Sequence, residues 1–287
     1  MKTALNDYLI LTKVRITALV LVTTAAGFLL ASGPDLDLTL LGWTLLGTGL
    51  AASGAAALNQ VLEREVDAKM ERTAGRPIPS GRMSPGRGLG VGVVLAVAGV
   101  AFLGALVNGL TALLALATVL LYVAVYTPLK RITPLNTIVG AVPGAIPPVM
   151  GWTAVSGTLG FPAVVLFAIL FLWQLPHFLA IAWIFRDDYR RGGFPMLPVV
   201  DHDGESTGRQ VALYCAALVP VSLIPTFLGL TGPIYFFGAL VLGLAFLASG
   251  LAMAMHRRGK EARRVLLASV TYLPLLLALL VVDRAPI

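Results

Sequence analysis

Nine apolar runs dominate this chain, near residues 16-32, 38-60, 88-107, 110-126, 136-155, 161-185, 211-230, 233-255 and 265-282. A hydrocarbon core about 30 Å thick needs about 20 apolar residues to be crossed by a helix, and the runs are close to that length. Hydrophobic residues make up 57% of the 287 and charged ones 12%, with a mean hydropathy of +0.88. A soluble domain could not hide that much apolar surface. No polar half exists to form a second globule. The expectation is an all-α polytopic membrane protein of about nine transmembrane helices surrounding a cavity open to the cytoplasmic side, as one transmembrane domain over 1-287. The run from Ile16 to Ala31 follows Lys13 and Arg15 as a signal peptide would, but it is longer than most such segments and is read as a retained span.

The connections alternate in charge. Those near 33-37, 107-110, 156-160 and 230-233 contain no Lys or Arg, whereas those near 61-87, 127-135, 186-210 and 256-264 are basic. Of the 21 Lys and Arg residues, this layout puts only Arg284 on the opposite face. The positive-inside rule then predicts a multi-pass protein of the cell (inner or plasma) membrane, with a cytoplasmic N-terminus, an outer C-terminus and cytoplasmic cap loops near 61-87, 127-135 and 186-210. A net charge of +7 is therefore a topology signal; the bilayer is a partner and nucleic acid is not. Cys215 stands alone in an apolar run, which excludes a disulfide framework or thiolate cluster and suits a small packing residue.

Chemistry concentrates on the basic face. The stretch NQVLEREVDAKMERTAGRPIPSGR runs from Asn59 to Arg82. Asn59, Glu63 and Asp67 recur every four residues, so on a helix they form one stripe of oxygen ligands. Such oxygens suit a hard cation such as Mg²⁺. Glu65, Lys69 and Glu71 support a plainer account, a solvated salt-bridge face. Against it, Asn59 and Glu63 continue an apolar helix, where an acid is expensive, and Arg72 and Arg76 follow closely. Carboxylates with arginines fit a metal-bridged diphosphate. Pro77, Pro79, Gly81 and Pro85 then break the helix and set Arg72, Arg76 and Arg82 on a constrained loop over the stripe.

In YTPLKRITPLN, from Tyr126 to Asn136, Lys130 and Arg131 lie between two prolines, positioned to reach the same diphosphate or simply obeying the positive-inside rule. Pro143, Pro147 and Pro148 are expected to interrupt the fifth span, as cavity-lining membrane helices tolerate; Gly140 and Gly144 fit close packing. Within FLWQLPHFLAIAWIFRDDYRRGGFPMLPV, helical projection puts Trp173, His177, Ile184 and Asp188 on one face. His177, alone among the histidines in lying within a span, fits a structural role or an axial heme contact. Asp187 and Asp188 are either helix-end charges balanced by arginines or a second acidic cluster clamping one diphosphate through a second metal. Ionising an allylic diphosphate needs the leaving oxygen's charge stabilised and the cation shielded from water, which this combination would supply.

Four stretches together, N-x-x-x-E-x-x-x-D with K-M-E-R-T-A-G-R-P, then Y-T-P-L-K-R, W-Q-L-P-H-F and D-D-Y-R-R-G-G-F-P-M-L-P, resemble the intramembrane aromatic prenyltransferase superfamily and specifically its heme-farnesylating branch. The resemblance implies transfer of farnesyl from farnesyl diphosphate to the 2-vinyl group of heme b, release of pyrophosphate, Mg²⁺ as cofactor, and a role beside heme A synthase or cytochrome oxidase assembly proteins. It implies that Asn59, Glu63 and Asp67 hold metal and diphosphate with Lys130 in the catalytic set. Arg72, Arg76, Lys130 and Arg131 would grip phosphate, His177 and Trp173 would contact heme, and Asp187 or Asp188 would bind the second metal. The wider superfamily has Asp where Glu63 stands and a spaced D-x-x-x-D as its second motif. Here two adjacent acids are followed only by Asp201 and Asp203, so all four stay open. A prenyltransferase for a quinone precursor, a transporter and a heme-holding assembly factor are the competing readings.

Overall fold

The structure, a computed structural model, describes residues 2-33 and 35-285. In chain order its helices are α1 (Lys2–Leu11), α2 (Val14–Ala31), α3 (Leu38–Asp67), α4 (Glu71–Ala74), α5 (Pro85–Leu106), α6 (Gly109–Leu120), α7 (Thr127–Leu129), α8 (Asn136–Ser156), α9 (Phe161–Ile184), α10 (Arg186–Arg191), α11 (Leu197–Val200), α12 (Glu205–Phe227), α13 (Pro233–His256) and α14 (Gly259–Val282). Leu121–Tyr126 forms a π-helical turn joining α6 to α7. Among the described residues nine helices are long and apolar enough to cross a membrane: α2, α3, α5, α6 through α7, α8, α9, α12, α13 and α14. The chain is a multi-pass membrane protein.

The helices pack in two groups that share α2 and α8. On one side α3 packs along α5, and α6 bridges α5 and α8; on the other α9 contacts α8, α12 and α14, while α13 lies on α12 and α14. Helix α14 returns to touch α2. Close approach at the shared pair requires glycine: a Cβ on Gly27 would lie 2.0 Å from Pro148 O, and one on Gly151 would lie 1.9 Å from Thr24 O. Where lipid is as apolar as leucine, such contact between backbones is what holds helices together.

Two expectations change. Pro143, Pro147 and Pro148 do not break the fifth span; α8 runs unbroken from Asn136 to Ser156. Each proline removes one N–H from the ladder, but α8 is the most enclosed of the spans, with most of its residues buried, and packing from α2 and α9 holds it in line. The second correction is that α3 continues through the supposed start of a loop to Asp67. Its last two turns are amphipathic, exposing Leu62 and Glu65 while burying Asn59, Gln60, Glu63 and Asp67.

Arg284, the lone basic residue at the opposite end, donates from Nη1 to Leu29 O at 2.6 Å and so satisfies a carbonyl at the C-terminus of α2. Asp283 beside it accepts from Tyr235 N at the start of α13. These contacts tie Asp283 and Arg284 to that face of the bundle.

Candidate active site

The inner turns of α3 end in a polar cluster that apolar helices surround. Asn59 is 1% exposed, Glu63 3% and Asp67 0%. Each faces a cation or donor from another element. Lys13 Nζ donates to Asn59 Oδ1 at 2.8 Å, Lys130 Nζ to Glu63 Oε1 at 2.7 Å, and Arg76 Nη1 to Asp67 Oδ2 at 2.5 Å. Three cations therefore meet two carboxylates, an excess of one positive charge. Burial, followed by repulsion from Arg76 and Lys130, pushes Lys13 down to about 7. Burial opposes the charged form of Lys130 as well, but the Glu63 carboxylate outweighs it and holds that ammonium above the ordinary lysine value.

Lys13 reaches this cluster because the chain turns sharply between α1 and α2. Its backbone is left-handed, with φ of 49°, a conformation that costs a non-glycine residue roughly 1 kcal/mol. That strain aims the side chain inward, where Nζ also lies 3.3 Å from the Tyr122 hydroxyl. Tyr122 belongs to the π-turn. Pro128 has no N–H to offer the carbonyl four residues back, and the ladder widens instead. The Thr127 N–H bonds Tyr122 O, and Thr127 Oγ1 donates to the same carbonyl at 2.8 Å while accepting from Asn59 Nδ2 at 3.0 Å. Tyr122 and Tyr126 stack with centroids 5.4 Å apart, and the Tyr126 ring lies against Gly140, where a Cβ would meet it at 2.5 Å.

The connection before α12 closes the cluster with aromatic rings. Phe194, 1% exposed, lies under Lys130 with Nζ 4.6 Å from its ring centre. Arg72 stacks on Phe185 and Tyr189 at 5.5 and 5.8 Å. Asp188 takes a different position from the one its spacing suggested. Helix α9 ends at Ile184, and a turn at Phe185 starts α10 in a new direction, so Asp188 does not share a helix face with Trp173 and His177. Its carboxylate accepts from Glu71 N at 2.9 Å and Arg72 N at 3.2 Å, and from Arg191 at 2.6 Å. It thereby caps α4 from across the gap between two loops. Burial alone would raise the Asp188 carboxyl, but Arg191 and the two backbone N–H groups hold it below the ordinary aspartate value.

The remaining candidates lie apart. Asp187 is exposed and paired with Arg190. Asp201 accepts from Thr207 N and Oγ1, both at 2.7 Å, and Asp203 accepts from Glu205 N at 3.0 Å. Arg131 donates to Leu62 O at the surface, and Arg82 is held by Asp7 of α1. Trp173 and His177 stack with centroids 5.0 Å apart against α14. Trp173 Nε1 donates to Ser269 O at 2.8 Å, and His177 Nδ1 lies 2.7 Å from Ser269 Oγ. Ser269 Oγ also lies 2.7 Å from Leu266 O; in the tautomer with Nδ1 protonated the hydroxyl donates to Leu266 O and the Nε2 lone pair is free.

The donor set fits a hard divalent cation. Asp67 Oδ1 is buried with no hydrogen-bond partner, and an amide and a carboxylate sit on the same stripe. Among the described residues no three acidic, His or Cys side chains gather as a metal cage. Mg²⁺ characteristically takes one or two carboxylates and fills its other positions with water and substrate phosphate. Lys13, Tyr122, Tyr126 and Phe194 join the cluster without having been singled out from the sequence. Lys13 showed only as a lysine at the mouth of the first span, Tyr126 and Phe194 only as members of the Y-T-P-L-K-R and G-G-F-P-M-L-P stretches.

The profile of the UbiA prenyltransferase family matches residues 20–280. A protoheme IX farnesyltransferase of Solibacter usitatus is 51% identical over 98% of this chain and 99% of its own; that of Koribacter versatilis is 50% identical over 98% and 94%. Among solved structures, digeranylgeranylglyceryl phosphate synthase superposes with a TM-score of 0.82 at 17% identity over 99% of both chains. A UbiA homologue from Archaeoglobus fulgidus bound to GPP and Mg²⁺ gives 0.67 at 15% identity, covering 96% of this chain and 99% of that one. With the profile spanning most of its length and relatives half identical over nearly all of it, the chain belongs to the UbiA prenyltransferase family.

Proposed function

We propose that the protein transfers the farnesyl group of farnesyl diphosphate to the 2-vinyl group of heme b, converting it to heme O. The observation that carries this reading is the buried cluster of Asn59, Glu63, Asp67, Lys13, Arg76 and Lys130, in a chain whose near-full-length relatives are named protoheme IX farnesyltransferases. Those names also displace the transporter and assembly-factor alternatives.

The three cations bind the diphosphate, exchanging their present carboxylate and amide partners for phosphate oxygens. Heterolysis of the C1–O bond sends the electron pair to pyrophosphate and leaves an allylic cation. Lys130 and Arg76 offset the growing charge on the leaving oxygen. The faces of Tyr122 and Tyr126 stabilise the cation electrostatically and keep water from it. The vinyl π electrons form the new C–C bond, and water captures the resulting cation and loses a proton, giving the hydroxyethylfarnesyl side chain. Asn59, Glu63 and Asp67 would hold Mg²⁺, which supplies Lewis-acid charge for the departing diphosphate when bound; the Archaeoglobus homologue is bound to GPP and Mg²⁺. Arg72 stands at the rim as a phosphate guide, and Arg131 fixes the turn that carries Lys130. His177 Nε2 is the heme iron contact, with Trp173 stacked behind it. Asp187 and Asp188 serve this scheme by ordering the rim. The site and N-terminus face the cytoplasm of a cell membrane and the C-terminus lies outside, as the basic connections support.

Incubation of the protein in membranes with farnesyl diphosphate and either heme b or 4-hydroxybenzoate tests the acceptor. Heme b alone should be farnesylated, and His177→Ala should weaken its binding without raising the KM for farnesyl diphosphate. Prenylation of the benzoate alone would sink the assignment.

A further inference from the structure

Two residues, Thr12 and Lys13, separate α1 from α2, and the last carbonyls of α1 lose their helical donors where the chain turns. Such groups need partners when they are buried. Tyr8 O accepts from Thr12 N and Oγ1, both at 2.9 Å, and Thr12 O accepts from Thr17 Oγ1 at 3.0 Å. The Ile10 and Leu11 carbonyls are met from another helix. Gln60 Nε2, on α3, donates to Ile10 O at 2.8 Å and to Leu11 O at 2.9 Å. Ile10 O also takes a longer bond, 3.2 Å, from Lys13 N; among the described residues Leu11 O has no donor besides Gln60.

Gln60 and Leu11 are both 0% exposed. Both partners of the Gln60 amide are acceptors, so its nitrogen has to face them, and Oε1 is left buried with no hydrogen-bond partner. Asn59 and Gln60 are consecutive on α3, about 100° apart around the helix. Asn59 Oδ1 holds the Lys13 ammonium at 2.8 Å, while Gln60 holds the backbone from which that side chain starts. This grip matters because Lys13 is left-handed, with φ of 49°, and a residue with a Cβ keeps that conformation only where its surroundings impose it. Helix α1 offers few other holds. From Leu5 to Leu11 only Asp7 and Leu11 are buried, Asp7 against Arg82 and Leu11 among Ala57, Val61, Ile78 and Met83.

We propose that Gln60 is a positioning residue of the reaction: by holding the Ile10 and Leu11 carbonyls it fixes the turn that delivers the Lys13 ammonium to the diphosphate. It acts through Lys13 and touches neither substrate nor metal. The inference rests on Lys13 binding the diphosphate, as in the reaction proposed above.

The test is a double-mutant cycle on the KM for farnesyl diphosphate, with heme b as acceptor. Gln60→Met keeps the length of the side chain and removes both donors. It should raise KM about fivefold or more, without exceeding the rise in Lys13→Met, and leave kcat within about twofold, as when binding common to the ground and transition states is lost. In the Lys13→Met background the same change should add nothing, because residues that act through one contact are not additive. A residue that merely stabilised the fold would act alike in both backgrounds. Independently of turnover, Gln60→Met should speed acetylation of Lys13 by acetic anhydride, read by mass spectrometry, and weaken the protection that farnesyl diphosphate gives it. An unchanged KM in Gln60→Met beside a raised KM in Lys13→Met would overturn the Gln60 assignment alone, as would equal rises in both backgrounds. An unchanged KM in Lys13→Met would remove Lys13 from the diphosphate site and the proposal with it. If Gln60→Met and Gln60→Leu both failed to fold, Gln60 would be a structural residue, which also overturns the proposal.

Discussion

Lys13 shows how much one residue contributes when it is held at a helix break. Its left-handed backbone points an ammonium into a site already holding Arg76 and Lys130, and the repulsion among these cations stores a tendency to bind an anion. Glu63 and Asp67 neutralise two of the three; among the described residues Lys13 has only the Asn59 amide and the Tyr122 hydroxyl. It is therefore the cation with least to lose on meeting a phosphate. Lys13→Met keeps the length of the side chain and removes the charge. We expect the KM for farnesyl diphosphate to rise about tenfold or more, as for the loss of one charge-assisted hydrogen bond worth about 1.5–3 kcal/mol, while the heme b spectrum stays native. An unchanged KM would remove Lys13 from the diphosphate site. No residue pattern announced this role: a lysine before an apolar span also obeys the positive-inside rule, and only the turn that follows α1 separates the two.

At the scale of elements, the site is built where helices end or deviate. Helix α3 carries its stripe two turns past the apolar run; the π-turn swings Tyr122 toward Asn59; and α10 turns Asp188 onto the start of α4. The acidic stripe was legible because its spacing of four survives any choice of helix boundary, but the helix end was not, since charged residues at a membrane edge look the same in a loop. The π-turn left no trace in the sequence beyond Pro128. Asp188 was legible as a helix-end charge balanced by arginines or as a metal ligand; what its spacing did not show is that, paired with Arg191, it also ties two loops. Its depressed carboxyl stabilises that tie above the ordinary aspartate value of 3.8 and loses it as pH falls through the lower folded-state value. Proteolysis of the connection between α3 and α5 should therefore stay slow from neutral pH down to about 4 and accelerate below it. Asp188→Asn should be cleaved faster at neutral pH and show no such acid step; a wild-type protein whose cleavage rate ignores pH would contradict this role.

Across the whole molecule, composition and the period of the apolar runs were enough for the nine spans, because a bilayer admits few alternatives to helices of that length. Their packing was less accessible. The closeness of α2 and α8 depends on Gly27 and Gly151 facing backbone carbonyls, and thirty glycines in the sequence do not say which two matter. The prolines of α8 misled for the same reason, since enclosure by neighbours, invisible along one chain, decides whether a proline breaks a helix. What emerges is a bundle whose buried polar cluster draws on α3, the π-turn and the residues that precede α2 and α8, with the Trp173–His177 pair on α9 facing α14.

In the proposed reaction the α3 stripe and its cations cleave a prenyl diphosphate and deliver the carbon chain to heme. The most direct measurement is pyrophosphate release by the purified protein with farnesyl diphosphate and heme b, followed alongside heme O formation with and without Mg²⁺. Release should match product one for one, depend on the metal, and fall at least about a hundredfold in Glu63→Gln, a loss typical of removing one charge-stabilising group, with heme b still bound. Full release by that variant, or heme O formation without pyrophosphate, would contradict the account.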